Sequence, residues 1–272
     1  MEQQQKTLIT LTFFLALLGI TLIVISLATD NWVESNPLTI KNGTSDVDHS
    51  RKSDVNFGLF RGHRILDYGF GQRESALTVT CEASEGVCVV YPDTVTLPAS
   101  EYIHSVLYNV VNNTNNINNT DSTDDEPLYR KGLFNYGFWV TSIISAAFSI
   151  VFGLIAMGFA IFNICGKPIE TITGPMGLYL WNGTAFLFAL LDMVMFLTLF
   201  LTSLQKNFLL QEDVDKFVLT EKTNLGYSFY LVPAAVAMYL VNIILLVCSG
   251  YKLKCSFGSE AEKVVDNGMI LY

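Results

Sequence analysis

Apolar residues along this chain concentrate in four long blocks, separated by polar stretches of very unequal length. The blocks cover residues 8–28, 138–164, 176–204 and 227–250. Within them, Asp192 is the only charged side chain. About 20 apolar residues span the hydrocarbon core of a bilayer, and a helix pairs every backbone polar group there. The pattern therefore predicts four transmembrane helices in one tetraspan domain, residues 1–272.

The stretches between the blocks are a long loop 1, a short turn, a shorter loop 2 and a tail. They cover residues 29–137, 165–175, 205–226 and 251–272. One alternative stays open for the first block, because Ser26-Leu27-Ala28 resembles a signal-peptidase site. This block is either a retained helix or a cleaved signal, and its length favours the helix.

Composition agrees with membrane insertion and excludes several functional classes. Apolar residues make up 51% of the chain and charged residues only 15%, against about 25% charged in soluble domains. There are only three histidines, and no spacing typical of a zinc site, a serine-hydrolase elbow or a P-loop. The net charge of −9 excludes a nucleic-acid binder of the usual basic kind. We therefore expect no enzymatic activity, no catalytic residues, no metal and no cofactor.

Lysines near the block ends set the expected orientation. Lys6, Lys167, Lys252 and Lys254 each lie within a few residues of a block end on one side of the membrane. Short cytoplasmic segments carry such an excess of basic residues. We predict a multi-pass protein of the plasma membrane with both termini in the cytoplasm and loops 1 and 2 outside. The lipid bilayer is then its first partner.

Glycosylation sequons agree with this orientation. Asn42, Asn112 and Asn118 each begin an Asn-x-Thr sequon in loop 1, and a sequon is useful only in an exposed segment outside the cytoplasm. Asn182 also begins a sequon, but it lies inside the third block and should stay without sugar. We predict sugar on the three loop 1 asparagines.

The cysteines divide into two groups. Cys81 and Cys88 lie in two β-prone runs around a Gly-containing turn, which predicts a hairpin. A disulfide across it would suit an oxidising exterior, and the alternative is two free thiols. Cys165, Cys248 and Cys255 lie at or near the predicted inner helix ends, where they are either palmitoylated or inert apolar side chains.

One face of the second block carries small residues at helical spacing. They are Ser145, Ser149, Gly153, Ala156 and Ala160. Faces of this kind let transmembrane helices approach closely. The face either packs inside the four-helix bundle or forms a homodimer.

A charged Asp192 is energetically unfavourable inside a membrane, since placing a charge at the centre of a span costs roughly 2.5–3.5 kcal/mol on insertion scales. It should face the bundle and be protonated or hydrogen-bonded, with Asn242 of the fourth block as a candidate partner; Asn182 lies ten residues earlier in the same block. Its role is either structural bonding or transport. A single acid without a second acid, a histidine or an arginine in the spans is poorly suited to relaying protons or ions across the membrane.

The chain ends in Gly268-Met269-Ile270-Leu271-Tyr272. Ile270 and Tyr272 have the alternate spacing of a peptide that adds a strand to a PDZ domain and leaves its carboxylate in a backbone nest. A PDZ scaffold is therefore a possible partner. The alternative is that these apolar residues lie on the membrane surface.

The turn between the second and third blocks has the most distinctive local sequence. Its characteristic residues are Gly166, Lys167, Pro168, Glu170, Gly174, Pro175 and Gly177. Physically, Gly166 and Pro168 end one helix and Pro175 suits the first turn of the next. The pattern Gly-Lys-Pro-x-Glu-Thr-x-x-Gly-Pro-x-Gly-Leu-Tyr-Leu resembles that of the clarins, and Phe57-Gly58-Leu59-Phe60 in loop 1 resembles their Gly-Leu-Phe element.

Clarins are tetraspan membrane proteins distantly similar to claudins. The resemblance therefore implies an all-α membrane protein: a four-helix bundle topped by a small, claudin-like extracellular β-sheet formed by loop 1. Trp32 then matches the tryptophan just beyond the first helix of that wider group, and Gly58-Leu59-Phe60 matches its Gly-Leu-Trp.

The resemblance also implies a function. Clarins are non-enzymatic organisers that support actin-rich projections and synapses of sensory cells and the trafficking of membrane partners. The alternative is an auxiliary subunit of an ion channel, or a transporter, for which Asp192 is the only support in the sequence. A claudin-like cell–cell contact strand is disfavoured by the long acidic loop with its sequons.

Overall fold

The computed structural model describes residues 2–40, 47–48, 51–114, 127–165, 175–219 and 223–248. Within these ranges the helices are α1 (Glu2–Ala28), α2 (Ala99–Thr114), α3 (Tyr136–Cys165), α4 (Pro175–Leu199), α5 (Gln211–Val214) and α6 (Tyr227–Cys248). One π-helical turn, Phe200–Leu204, extends α4. Of the helices described, four are long and apolar enough to cross a membrane, and their spans are Thr7–Ala28, Tyr136–Ile164, Gly177–Leu204 and Tyr227–Val247.

The four spanning helices form a closed bundle, in which neighbours follow the order α1, α3, α4, α6 and α6 returns to α1. Only about a third of each span, 28–33%, is buried inside the protein. The rest presents apolar side chains to the surroundings, as a membrane requires, because lipid solvates such a surface.

The strands of the described residues form two antiparallel sheets. They are β1 (Val33–Ser35), β2 (Leu38–Ile40), β3 (Val47–Asp48), β4 (Asp54–Phe57), β5 (Arg61–Asp67), β6 (Gln72–Glu82), β7 (Val87–Pro92), β8 (Leu133–Asn135), β9 (Phe217–Val218) and β10 (Thr223–Leu225). The larger sheet has the order β10-β1-β4-β5-β6-β7-β8, and the smaller has the order β3-β2-β9. We call the two sheets together with α2 and α5 the cap.

The cap is larger than the small loop 1 sheet that the resemblance implied, and it is not built by loop 1 alone. The main sheet has seven strands in the described chain, and loop 2 supplies β10, which pairs with β1. Loop 2 also supplies β9, which pairs with β2. These pairings join segments far apart in sequence, so local propensity could not predict them. The description "all-α" is therefore corrected to a helical bundle with a substantial β cap.

A single apolar core crosses from the cap into one end of the bundle. It includes Val55 and Phe57 of β4, Leu199 at the end of α4 and Val232 of α6. A second core lies under α2, where Ile103 and Val106 pack on Val89 of β7. The cap therefore joins the bundle through packed side chains as well as through the chain connections.

Candidate functional site

The junction between cap and bundle is organised around Trp32, which is fully buried. Its Nε1 donates a hydrogen bond to the Ser26 carbonyl at 2.7 Å. Its ring meets Phe196 of α4 edge-on at 4.5 Å and Phe229 of α6 at 6.1 Å. Its backbone N–H donates to the Phe57 carbonyl of β4 at 3.0 Å. One side chain and its backbone thus connect the end of α1 to two helices and the main sheet.

The Gly58-Leu59-Phe60 turn is the second anchor of the cap. A Cβ on Gly58 would lie 2.6 Å from the Thr29 carbonyl oxygen, so a glycine is needed where this turn meets the end of α1. The Leu59 side chain is buried, and its carbonyl accepts a hydrogen bond from Trp139 Nε1 at 2.9 Å. Both segments that the sequence matched to the wider tetraspan group are therefore structural anchors.

Loop 2 is held against the main sheet by a buried ion pair. Arg64 Nη1 of β5 donates to Asp213 Oδ2 of α5 at 3.1 Å, and both side chains are over 90% buried. Arg64 Nε also donates to Ser75 Oγ at 2.8 Å. The Tyr68 hydroxyl donates to Asp213 Oδ1 at 3.0 Å. Burial, together with the nearby Asp213 carboxylate, raises the pKa of Tyr68 to about 12.

These groups border a polar cleft of about 440 Å³ between the β5–β6 hairpin and loop 2. Its charged lining is balanced, with three cations and three anions: Arg64, Arg73, Lys216, Glu74, Glu212 and Asp213. Leu66, Val95 and Leu210 give it an apolar floor. The described residues contain no group of three His, Cys, Asp or Glu side chains suited to a metal ion.

The predicted outer hairpin is present. Strands β6 and β7 pair with Cys81 opposite Cys88, and the two residues form a disulfide bond. The Cys88 side chain is fully buried in the core shared with the bundle. The disulfide therefore lies beside the junction, on strand β7, which pairs with β8, the strand that leads directly into α3.

The small-residue face of α3 is used inside the bundle. Ser145, Ser149, Ala156 and Ala160 are all buried there, and Ser149 Oγ donates to the Ala185 carbonyl of α4 at 3.0 Å. This arrangement matches the intramolecular alternative. It leaves these side chains covered and not available to a second copy.

Gly153 on the same face makes room for a tyrosine. A Cβ there would lie 2.7 Å from the Tyr239 hydroxyl and 2.8 Å from Ile20 Cγ1. A Cβ on Gly19 would lie 3.0 Å from the same Tyr239 ring. The two glycines thus form a slot between α1 and α3 for the fully buried Tyr239 of α6.

Asp192 is fully buried and faces the bundle. Ser142 of α3 donates a hydrogen bond to its Oδ1, while its Oδ2 has no partner among the described residues. The expectation that Asn242 would be its partner is wrong, because Asn242 is bound to Asn182, at another level of α4. Ten residues of α4 separate Asn182 from Asp192, and at 1.5 Å per residue they lie about 15 Å apart along the helix.

The two asparagines bind each other instead. Asn242 Nδ2 of α6 donates to Asn182 Oδ1 of α4 at 2.7 Å and to the Thr12 carbonyl of α1 at 3.2 Å. The pair therefore ties three helices together at a level well away from Asp192. Asn182 is buried in this contact, as expected for a sequon inside a span.

Several predicted site residues lie outside the described ranges. They are Asn42, Asn118, Gly166, Lys167, Pro168, Glu170, Gly174, Cys255, Ile270 and Tyr272. Asn112 lies in the last turns of α2, whose backbone alone is described there. Pro175 begins α4, the position that suits proline in a helix.

Sequence reasoning missed three groups that organise the site: the Arg64–Asp213 pair, Trp139 and Ser142. The two residues of the ion pair lie 149 positions apart, and Trp139 lies 80 positions from Leu59. For Ser142 there was a signal, since it precedes Ser145 and Ser149 by one helical turn and two turns on the same face.

Comparison with known proteins finds similarity to clarins over most of the chain. A family model described as Clarin-2-like matches residues 128–246. The chain is 22% identical to clarin-3 of Homo sapiens over 254 residues, covering 91% of this chain and 88% of that protein. It is 27% identical to clarin-3 of Rattus norvegicus over 241 residues, covering 85% and 81%. It is 22% identical to clarin-1 of Mus musculus over 274 residues, covering 96% and 95%.

Proposed function

Because this chain belongs to the clarin family, we propose that it is a non-enzymatic organiser of the plasma membrane. In this role it supports actin-rich projections and synapses of sensory cells, or the trafficking of membrane partners. It acts by holding a folded outer surface at a fixed position relative to its transmembrane helices, so that partners in the membrane and partners outside it engage one rigid unit.

The observation that carries the proposal is the single core shared by the cap and the bundle. Trp32 and Phe57 pack with Phe196 and Phe229 in one buried cluster, so a displacement of the cap would disrupt helix packing. The Arg64–Asp213 pair adds loop 2 to the same unit. A rigid cap with a charged cleft and lipid-facing helices is suited to scaffolding.

The proposed orientation puts the cap outside the cell and both termini in the cytoplasm, in a claudin-like arrangement. The excess of lysines at the other ends of the spans supports it. Phe60, Tyr227 and Tyr230 near the cap end of the bundle are 46–59% exposed, which suits side chains at a membrane–water interface. Sugar on Asn42, Asn112 and Asn118, a palmitoylated Cys255 and a PDZ scaffold on Ile270 and Tyr272 belong to the same proposal.

Proximity labelling in a native tissue tests the organiser role. A labelling enzyme fused to the N-terminus of the full chain should enrich membrane proteins and actin-linked scaffolds over a matched tetraspan control. A variant with one glycine appended after Tyr272 should lose PDZ scaffolds and keep the membrane partners. Labelling no different from the control tetraspan would contradict the proposal.

A second function, an auxiliary channel subunit or a transporter, is favoured only by Asp192, whose Oδ2 has no hydrogen-bond partner in the described chain. Buried acids inside a span often mark ion pathways. The two functions separate in purified proteoliposomes. An intrinsic ion flux that Asp192→Asn abolishes would establish transport and overturn the organiser proposal.

A further inference from the structure

Two aromatic side chains meet at the level where the cap joins the apolar spans. Trp139 is the fourth residue of α3, and Phe60 follows Gly58, which touches the end of α1. The spans of these two helices end at Ala28 and begin at Tyr136. Phe60 and Trp139 therefore lie at the boundary between the hydrocarbon core and water, where a bilayer has its headgroups.

The two rings form an open corner, which we call the aromatic corner. Their planes are 78° apart and their centroids are 6.4 Å apart. Trp139 Nε1 donates to the Leu59 carbonyl at 2.9 Å, which fixes the orientation of the indole. Phe60 is 46% exposed. The face of a ring attracts a cation within about 6 Å of its centroid, and one cation can satisfy that condition for both rings.

Tyr136 adds a third ring to the corner. Its centroid lies 6.3 Å from that of Trp139, with the two planes 36° apart. The three rings come from the start of α3 and from the Gly58–Phe60 turn, both of which are anchored in the shared core. Because the rings are held in place before a ligand arrives, little conformational entropy is lost on binding.

An exposed arginine lies directly beside the aromatic corner. Arg61 follows Phe60 in the chain, and its side chain is 70% exposed. Its Nε donates to Asp30 Oδ1 at 3.3 Å, and its two Nη groups have no acceptor among the described residues. Asp30 thus orients the guanidinium and leaves its two ends available. A guanidinium in this state can bind two oxygens of one phosphate group.

We infer that the aromatic corner and Arg61 bind the headgroup of a choline phospholipid. The trimethylammonium group lies between the faces of Phe60 and Trp139, since aromatic faces recognise quaternary ammonium ions. The phosphate accepts hydrogen bonds from the Nη groups of Arg61. A short linker joins the phosphate to the nitrogen in this headgroup, which suits a site whose two parts are adjacent residues.

The chemistry of the corner separates choline from other headgroups. The primary ammonium of ethanolamine has N–H groups that aromatic faces would leave without acceptors, whereas trimethylammonium has none. A glycerol headgroup offers no cation to the rings. All three headgroups carry the phosphate that Arg61 binds. The corner therefore determines which headgroup is preferred, and Arg61 contributes affinity for phospholipids in general.

The site does not depend on the proposed function or on the proposed orientation. The end of the bundle that carries the cap meets a headgroup layer whichever way the chain is inserted. A headgroup bound at this point fixes the height of the cap above the bilayer, because Phe60 and Trp139 are both part of the junction between cap and bundle.

Native mass spectrometry of the purified full chain tests the site. The protein is released from nanodiscs that contain equal amounts of phosphatidylcholine, phosphatidylethanolamine and phosphatidylglycerol with identical acyl chains. The wild type should retain phosphatidylcholine several-fold more often than the other two. Phe60→Leu keeps apolar bulk and removes the ring, so retention of phosphatidylcholine should fall to the level of phosphatidylethanolamine. Arg61→Gln should lower retention of all three lipids several-fold and keep their order.

Tyr230→Leu is the matched control. Tyr230 is 59% exposed at the same end of the bundle, and its one aromatic neighbour among the described residues is Phe229. This variant should keep the preference for phosphatidylcholine. An equal loss of preference in Phe60→Leu and Tyr230→Leu would mean that exposed aromatic residues act only as general interfacial anchors, and it would overturn the inference. A wild type that shows no headgroup preference would also overturn it.

A cross-linking lipid locates the contact on the wild-type chain, so the result does not depend on the folding of a variant. Phosphatidylcholine with a photoreactive diazirine on its choline group is placed in the nanodisc and activated by light. The label should be found in peptides that cover residues 58–61 and 136–140. Labelling confined to other parts of the chain would place the choline group elsewhere and overturn the inference.

Discussion

Two buried aspartates, one in the cap and one in the bundle, are held in opposite ways. Asp213 accepts hydrogen bonds from Arg64 at 3.1 Å and from Tyr68 at 3.0 Å, with Lys216 Nζ at 3.8 Å. Asp192 has one described partner, the neutral hydroxyl of Ser142. The same residue type is thus surrounded by cations at one site and by uncharged groups at the other.

The difference follows from what lies around each site. The cap borders water, so the charge of Lys216 stays solvated beside the carboxylate, while the buried Arg64 guanidinium is compensated by Asp213 and by a hydrogen bond to Ser75. The bundle borders lipid, where a second charge would add its own desolvation cost. A carboxyl group there is stable when it is uncharged and hydrogen-bonded. The cap therefore depends on an ion pair and the bundle on close packing.

Breaking the ion pair should have the largest effect. Asp213→Ala leaves the buried Arg64 guanidinium unpaired, which typically costs about 3–5 kcal/mol. We expect loop 2 to detach from β5 and surface delivery to fall sharply, measured by surface biotinylation and by thermal unfolding in detergent.

A paired replacement is the control for this prediction. Arg64→Met with Asp213→Leu removes both charges and keeps apolar bulk, so it should recover most of the stability that Asp213→Ala loses. A double variant as unstable as the single one would mean that the charges themselves, and not an unpaired charge, determine the fold of the cap.

The sequence could predict features that depend on neighbouring residues, in the cap and in the bundle alike, and it could not predict contacts between distant segments. Hydropathy is a local property, so it located the four spanning helices, and the Cys81–Cys88 hairpin was predictable because its strands are adjacent. The Arg64–Asp213 pair was not, because β5 reads as Arg-Gly-His-Arg and its partner lies in another loop. The Ser142–Asp192 contact depends on the relative height of two helices, which periodicity alone does not fix.

Removing the disulfide should have the next largest effect on the cap. Cys81→Ser and Cys88→Ser each remove the same disulfide. By closing a short loop, that bond stabilises the folded cap by roughly 2–3 kcal/mol in the loop-entropy estimate. Each should reduce surface delivery, and the double variant should be no worse than either. Thiol labelling of both cysteines in unreduced surface protein would show that the bond is absent in cells.

The packed interior of the bundle can be compared with its lipid face on one helix. Gly153→Val pushes methyl groups into Tyr239 and Ile20, and overpacking of this kind costs about 1–3 kcal/mol. Gly158→Val, five residues on, meets nothing within 4 Å and should be tolerated. Both variants are compared by thermal unfolding in detergent. Equal losses of stability would mean that the close contact of Gly153 with Tyr239 is not the reason why Gly153→Val destabilises the bundle.

The smallest effect is expected at Asp192. In Asp192→Asn the side chain keeps its shape, and the amide oxygen can still accept the Ser142 hydroxyl. If the carboxyl group is uncharged and structural, the substitution should change stability by less than about 1 kcal/mol, since neutral hydrogen bonds contribute about that much. Asp192→Leu should cost more, because it leaves the buried Ser142 hydroxyl without its acceptor. Thermal unfolding of the three proteins at neutral pH tests this order. A large loss in Asp192→Asn would mean that the negative charge is itself required, and the two aspartates would then differ in partners but not in charge.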